Sequence, residues 1–288
     1  MTGSFPGMSD VQHTCVSCGQ THEGLYCHVC GEKRLDPNDR KLKYYLHQLV
    51  SAVTFADNKA WRTLRSVIVN PGKLSLDYAA GRRVRYTAPV SLFFIGNLIY
   101  FLIPILETFD SSLYVQTQMM PYKSWIMPSV EGRLADRSIS MDEYAVAYNA
   151  ASTSNAKLLL ITMVFLISIG FAVVAMKKNR YFGDHFIMSL EVNIYNLFVN
   201  TIALALLIFP IVLIGQLAGA DLRPYLNDQL FTVLILFSLI YFLFRSFRTM
   251  YACTTGGAAW RTVFMLAWVA VSLQAYRFIL FWVTFYTT

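Results

Sequence analysis

The sequence predicts an all-α fold: a polytopic helical membrane bundle of about five spans, with a small N-terminal zinc ribbon and amphipathic interfacial helices. Hydrophobic residues make up 56% and charged residues 14% of the 288-residue chain, whereas soluble domains average about 45–50% and about 25%. Five apolar runs are each long enough for a helix to cross a bilayer. We therefore predict three regions: a zinc ribbon over residues 1–35, cytosolic juxtamembrane amphipathic helices over 36–87, and a transmembrane bundle over 88–288.

The zinc ribbon is predicted from two CxxC pairs, each followed by a glycine, with eight residues between the pairs. The four predicted metal ligands are Cys15, Cys18, Cys27 and Cys30. Four thiolates complete a tetrahedral shell with no open position, which is the structural kind of zinc site. A redox function is disfavoured because there are two pairs and no βαβ pattern. Such a ribbon is expected to dock a cytosolic protein partner or to stiffen the N-terminus, and not to catalyse.

Short helices are predicted between the ribbon and the membrane. From Leu42 onward apolar residues recur at intervals of three and four, which indicates a one-faced helix on the membrane surface. A second short helix carries Trp61, Leu64 and Ile68 on one side. An Asn-Pro-Gly turn at 70–72 ends that helix, and a third follows over about 73–80.

Basic side chains crowd the border between this region and the first apolar run. They are predicted to contact anionic lipid headgroups, at about 1 kcal/mol per charge, and comprise Arg62, Arg65, Lys73, Arg82, Arg83 and Arg85. The alternative is that these charges serve only to orient the chain. The chain's net charge of +7 does not indicate nucleic-acid binding, since no base-reading motif is present.

The N-terminal third resembles an uncharacterised bacterial polytopic membrane family, a domain of unknown function with an N-terminal zinc ribbon. The pattern is CxxCG…YCxxCGE, then W-R-T-L…NPGK…DY-x-x-G-R-R-x-R-Y-x-x-P leading into a membrane span. The residues that carry the resemblance are the four cysteines with Pro71, Gly72, Tyr78, Gly81, Arg83, Tyr86 and Pro89. The resemblance implies a bacterial inner-membrane architecture and implies no activity.

Five spans are predicted, at about 88–106, 157–176, 186–214, 229–247 and 260–286. A long extracytoplasmic loop is predicted at 107–156, with a helix that begins at a Ser140–Glu143 capping box. No cleavable signal peptide is apparent at the N-terminus. Basic residues gather near 180 and 250, and cytosolic loops carry the Lys and Arg excess. The N-terminus is therefore expected in the cytosol and the C-terminus outside.

One face of the third span is polar. At spacings of 4, 4, 3 and 4 it carries His185, Ser189, Asn193, Asn196 and Asn200, which places them on one side of a helix. Interhelical hydrogen bonding is the simpler interpretation, and a polar path that opens to the cytosol is the alternative. Two intramembrane charges are predicted as well. Glu191 is expected to pair with a basic residue such as Arg83 or Lys178, and Arg277 lies in the outer half of the fifth span.

No nucleophile elbow, P-loop, dinucleotide fingerprint or zinc-protease motif is present, so no catalytic residue is assigned. The leading hypothesis is a non-enzymatic anchoring, docking or sensing protein. The second hypothesis is a transporter or channel for a small solute or lipid that uses the polar face. The third is a lipid-modifying enzyme at the inner interface that uses His185, Asp184 or Glu191 beside Arg82 and Arg83.

Overall fold

The computed structural model describes residues 12–34, 58–102, 111–178, 180–217 and 228–288. The ribbon contains two antiparallel strands, β1 (His13–Thr14) and β2 (Thr21–His22). The α-helices that follow are α1 (Asn58–Val69), α2 (Lys73–Ala79), α3 (Pro89–Leu102), α4 (Lys123–Arg137), α5 (Met141–Val174), α6 (Phe182–Tyr195), α7 (Leu204–Leu217), α8 (Asp228–Thr249) and α9 (Thr255–Thr287). The helix predicted from Leu42 lies outside the described residues.

Four helices in these ranges are long and apolar enough to cross a membrane. They are Met141–Val174, Phe182–Leu217, Gln229–Thr249 and Thr255–Thr287. They correspond to predicted spans two to five, so the all-α fold is confirmed, and the four long apolar helices suit a multi-pass membrane protein. The first predicted span begins as α3, an apolar helix of 14 residues. The remainder of that span, up to residue 106, lies outside the described residues, and the count of five stays a prediction.

The longest helices, α5 and α9, form an antiparallel pair of 34 and 33 residues. At one end Arg261 Nε donates to the carbonyl oxygen of Val174 at 3.1 Å, and at the other end the Tyr144 and Thr288 hydroxyls are 3.1 Å apart. Close approach near the Val174 end depends on Gly170, because a Cβ there would lie 2.3 Å from the Trp268 ring. Tight packing through a small residue is a common way for membrane helices to associate.

The two ends of this pair differ in what they contact. Beyond Val174, the Arg180 guanidinium donates to the Met250 carbonyl at 3.1 Å, so the two basic loops meet at one end of the bundle. At the far end α4 packs on α5 and α9 through an apolar cluster that includes Ile126, Tyr148 and Phe281. Helix α5 begins as predicted, with the Ser140 hydroxyl accepting from the Glu143 amide at 3.2 Å.

The third span is not one regular helix. A π-helical segment, Asn196–Ala203, separates α6 from α7, and Pro210 lies inside α7. π-Helical segments widen the helix locally and leave some carbonyl groups poorly paired. Polar side chains supply part of the missing hydrogen bonding here, since the Thr201 hydroxyl donates to the Asn196 carbonyl at 3.2 Å.

Glu191 joins the third span to the short helices that precede the membrane. Its side chain is fully buried and accepts from the Gly72 amide at 2.8 Å and the Ser75 amide at 2.9 Å, as well as from the Ser75 hydroxyl. The expected pairing with Arg83 or Lys178 is therefore wrong. The first N–H groups of a helix lack intrahelical partners, and this carboxylate supplies an acceptor to the beginning of α2.

Gly72 allows this arrangement because it has a φ of +82° and lies against α8. A Cβ at this position would lie 2.9 Å from Ser246 Cα.

We expect Gly72→Ala to lower the free energy of unfolding by at least about 2 kcal/mol, through left-handed backbone strain and the backbone clash. Thermal unfolding in detergent measures the change. The matched control is Gly132→Ala in α4, where nothing lies within 4 Å of the added Cβ and a gain of up to about 1 kcal/mol is expected. Equal effects of the two substitutions would contradict the prediction.

Candidate metal centre and its junction with the membrane helices

The four ribbon cysteines are positioned by two turns of the same construction. The Gly19 amide donates to the Cys15 carbonyl at 2.9 Å, and the Gly31 amide donates to the Cys27 carbonyl at 2.8 Å. Both glycines have positive φ, +76° and +71°, a conformation that other residues rarely adopt. Each CxxCG sequence therefore folds locally so that its two thiols point to the same side.

The turns bring the thiols of Cys15, Cys18, Cys27 and Cys30 to one focus. All four sulphur atoms lie within 4.8 Å of one another. Cys15 and Cys30 Sγ are 3.5 Å apart, and Cys18 and Cys27 Sγ are 3.6 Å apart. Four thiolates at about 2.3 Å from a tetrahedral zinc ion are about 3.8 Å from each other. The four residues therefore fit a tetrahedral metal ion, as the sequence predicts.

Local electrostatics favour the metal-binding form of at least one ligand. Backbone N–H groups of Cys30 and Val29 donate to the Cys27 sulphur and lower its thiol pKa to about 6. A thiol must lose its proton to bind a metal ion. The fold of the second turn thus stabilises the thiolate before any metal ion is considered.

The ribbon is attached to the membrane helices through Glu32. This carboxylate is 3% exposed and accepts the Ser17 hydroxyl from within the ribbon. It also accepts the Arg83 amide at 3.1 Å and the Val84 amide at 3.3 Å. Those two residues lie just before α3. One buried side chain thus connects the metal-binding turns to the beginning of the first apolar helix.

A second buried carboxylate, Asp77, organises the connection between α2 and α3. Arg82 forms a two-nitrogen contact with its Oδ1, the Tyr86 hydroxyl donates to Oδ2 at 2.6 Å, and Lys73 Nζ lies 3.6 Å from Oδ2. Burial opposes ionisation of Asp77, but the Tyr86 and Arg82 contacts outweigh it and hold the pKa of the carboxyl below its usual value. Burial and the hydrogen bond to Asp77 raise the pKa of Tyr86 to about 12.

The six basic residues predicted to contact lipid headgroups fall into two groups. Arg82 and Lys73 pair with Asp77, and the Arg83 guanidinium lies 5.7 Å from the centre of the Tyr78 ring. Arg62, Arg65 and Arg85 are exposed. Lys73 lies four residues before Asp77, a spacing that the sequence shows, whereas the five-residue separation of Asp77 and Arg82 carries no such signal.

The polar face of the third span hydrogen-bonds largely within the bundle. Ser189 donates to the Val164 carbonyl at 2.6 Å, Asn193 to the Ser189 carbonyl at 2.8 Å, and Asn200 to Asn196 Oδ1 at 3.1 Å. Of these three bonds, only the Ser189 bond joins two helices, α6 and α5, so the interhelical bonding predicted for this face is seen at that residue, and the polar path stays a prediction. At the ribbon end of the span, His185 Nδ1 lies 2.9 Å from the Tyr251 hydroxyl, and the two rings stack.

Arg277 lies far from Glu191, on a cavity at the end of the bundle away from the ribbon. Its backbone carbonyl accepts from the Gln116 side chain at 3.2 Å. The cavity has a volume of about 270 Å³ and is lined by Ser111, Ser112, Val115, Asn149, Ser152, Thr153 and Arg277. Sequence reasoning missed it because its walls come from three separate parts of the chain.

The ribbon and the bundle together have the character of a multi-pass helical membrane protein with a four-cysteine metal site. Residues 57–101 match the model of a family described as Protein of unknown function (DUF3667). This segment contains α1, α2, nearly all of α3 and the whole Asp77 network. Neither the curated proteins nor the solved structures gave a match.

Glu32 and Asp77 are the important residues that the sequence did not reveal. Glu32 follows the second CxxCG turn directly, but nothing in that spacing indicates an acceptor for amides 51 residues away. Asp77 and Arg82 are five residues apart, which does not match the spacing of a helical ion pair. The signal was present only as part of the family resemblance around Tyr78 and Gly81.

The low pKa of Asp77 gives a pH dependence with a definite sign. A carboxyl group whose pKa is lower in the folded state stabilises that state above its unfolded pKa, about 3.9, and loses the contribution as the pH falls through the folded value. We expect Asp77→Asn to cost about 2 kcal/mol at pH 7, with the difference from wild type shrinking below about pH 4. Thermal unfolding in detergent across this range measures it. Asp136→Asn, at an exposed position on α4, is the control. A difference that persists unchanged at low pH would contradict the assignment.

Proposed function

We propose that this protein is a non-enzymatic membrane protein that holds a structural zinc ribbon at the cytosolic face of a bacterial inner membrane as a docking module. The observation that carries the proposal is the Glu32 contact with the Arg83 and Val84 amides. A ribbon that served only to stiffen the N-terminus would not need a fixed position just before the first apolar helix. A fixed position is useful when a partner must be held at the membrane surface.

Zinc is the metal that this donor set favours. Four thiolates in a closed shell are typical of structural zinc sites, in which the ion contributes directly to folding. Iron is bound by similar sets of four cysteines, which makes the metal identity a matter for measurement. No water-binding position remains once four thiolates bind, and this supports a structural and not a catalytic metal.

The outer surface of the ribbon supports docking. Val16 is the first residue between the cysteines of the first CxxC turn and Val29 is the second in the other turn; they are 55% and 62% exposed. Leu25 and Tyr26, between the turns, are 54% and 60% exposed. Four large apolar side chains exposed on a domain this small support an interaction surface.

The arrangement of the bundle ends supports the orientation. Gly72, Arg180 and Met250 lie at the same end of the bundle, since Gly72 packs on Ser246 and Met250 and Arg180 donates to the Met250 carbonyl. The Lys and Arg excess near 180 and 250 therefore lies on the side of the ribbon. Cytosolic loops carry that excess, which favours a cytosolic ribbon and a C-terminus on the outside.

We expect the purified full-length protein to contain one zinc ion per chain, and Cys15→Ser with Cys27→Ser to contain none. Mass spectrometry of metals on protein of known concentration gives the ratio. Cys253→Ser is the matched control, because this cysteine is buried in the bundle and lies outside the ribbon cluster. Iron in place of zinc would overturn the metal assignment, and retention of the metal in the double variant would overturn the ligand set.

Docking is tested by a photoreactive amino acid placed at Val16 or at Val29 in cells. We expect defined covalent adducts with the same cytosolic protein from both positions, because both side chains lie on the outer surface of the ribbon. The adducts should be lost when Cys27→Ser removes a metal ligand and unfolds the ribbon. The control position is Val146, which is 74% exposed near the opposite end of the bundle. Absence of adducts at both ribbon positions, with the metal bound, would overturn the docking role.

A further inference from the structure

We propose that the outer face of α1, together with Arg85, binds anionic phospholipid headgroups of the membrane in which the bundle lies. The inference rests on the membrane placement in the proposed function and adds to it a lipid preference and the residues responsible. It is independent of whether the ribbon docks a protein.

Helix α1 has one face buried in the protein and another that is not. Thr63 and Val67 are fully buried, and they hold α1 against the bundle. Trp61 and Ile68, which are seven positions apart and so share a face, are 70% and 37% exposed. Two large apolar side chains on the free side of a short helix are unfavourable in water, because the cost grows with exposed apolar area.

The position of α1 identifies what covers this face. The Thr63 hydroxyl accepts the Thr87 amide at 2.9 Å, and α3 begins two residues later at Pro89. This hydrogen bond fixes α1 at the level where the first apolar helix starts, which is the headgroup region of the bilayer. Tryptophan is enriched at this depth because its ring is apolar and its N–H is polar.

The charge on this surface selects the kind of lipid. Helix α1 contains Lys59, Arg62 and Arg65 and no acidic residue, and all three side chains are exposed. Arg85 is exposed two residues before the Thr87 contact. Two carboxylates described close by are already engaged: Asp77 with Arg82, Tyr86 and Lys73, and the buried Glu32 with the Arg83 and Val84 amides. A cationic surface of this kind concentrates anionic headgroups and does so less at high salt.

The test uses Trp61 as a local probe of lipid. The protein is reconstituted in liposomes that contain brominated phosphatidylglycerol or, at the same mole fraction, brominated phosphatidylcholine. Bromine quenches tryptophan fluorescence only at short range. The Trp61 signal is taken as the difference between wild type and Trp61→Phe, which removes the contribution of the other four tryptophans without substituting them. An exposed Trp61 makes this substitution mild for folding.

We expect the Trp61 signal to be quenched at least about twofold more by the anionic lipid than by the zwitterionic lipid, and the ratio to fall toward one in 1 M salt. The triple variant Arg62→Gln, Arg65→Gln, Arg85→Gln should abolish the preference. Arg137→Gln, at an exposed arginine on α4, should leave it unchanged.

The outcomes separate this inference from the proposed function. Equal quenching of Trp61 by the two lipids would overturn the lipid preference. If Trp61 is not quenched at all, while the remaining tryptophans of Trp61→Phe are, the bundle lies in the bilayer but the face of α1 is covered by something else, and the inference fails alone. If the tryptophans of Trp61→Phe are not quenched by either lipid, the membrane placement in the proposed function fails as well.

Discussion

This structure depends on one kind of interaction, in which backbone N–H groups donate hydrogen bonds to a buried carboxylate. Glu191 in a membrane span accepts the amides of Gly72 and Ser75, and so fixes the beginning of α2 against the bundle. A carboxylate buried to this degree is costly unless its oxygen atoms are fully hydrogen-bonded. The donors at a helix beginning meet that requirement, since they have no other partner within their own helix.

Buried carboxylates recur toward the N-terminus, with backbone or side-chain donors, and link the parts in series. Glu191 holds α2, Asp77 within α2 holds Arg82 and Tyr86, and Glu32 of the ribbon accepts the amides of the residues just after Arg82. Each step uses an acidic side chain to position a short segment that has too few residues to fold alone. Among the residues that the structure describes, polar contacts of Glu32 thereby connect the metal site to the segment that leads into the membrane helices.

Much of this architecture follows from the sequence, and the limits have physical causes. The cysteine cluster, the start of α5 at Ser140 and the four long spans depend on local spacing and apolar length, which are visible in the chain. The partners of Glu191 and Glu32 are backbone amides far away in sequence. Every residue except proline has a backbone amide, so residue type does not show which amides will donate. The opposite charges that Glu191 was expected to meet are common near membranes, but here the helix beginning lies closer. The cavity beside Arg277 was not predicted for a related reason, because its hydroxyl and amide side chains come from three separate segments and show no periodicity.

The length of α5 and α9 has a consequence for the end of the bundle away from the ribbon. At 34 and 33 residues each is about 50 Å long, whereas the hydrocarbon layer is about 30 Å thick. In a bilayer, roughly 20 Å of each helix would therefore extend past the hydrocarbon layer, and α4 packs on the pair at the end away from the ribbon, around Tyr148 and Phe281. The protein thus acquires a rigid protruding tip made from the continuation of its own membrane helices, without a separately folded domain. In the proposed orientation, that tip is the first surface met by any molecule that arrives from the periplasm.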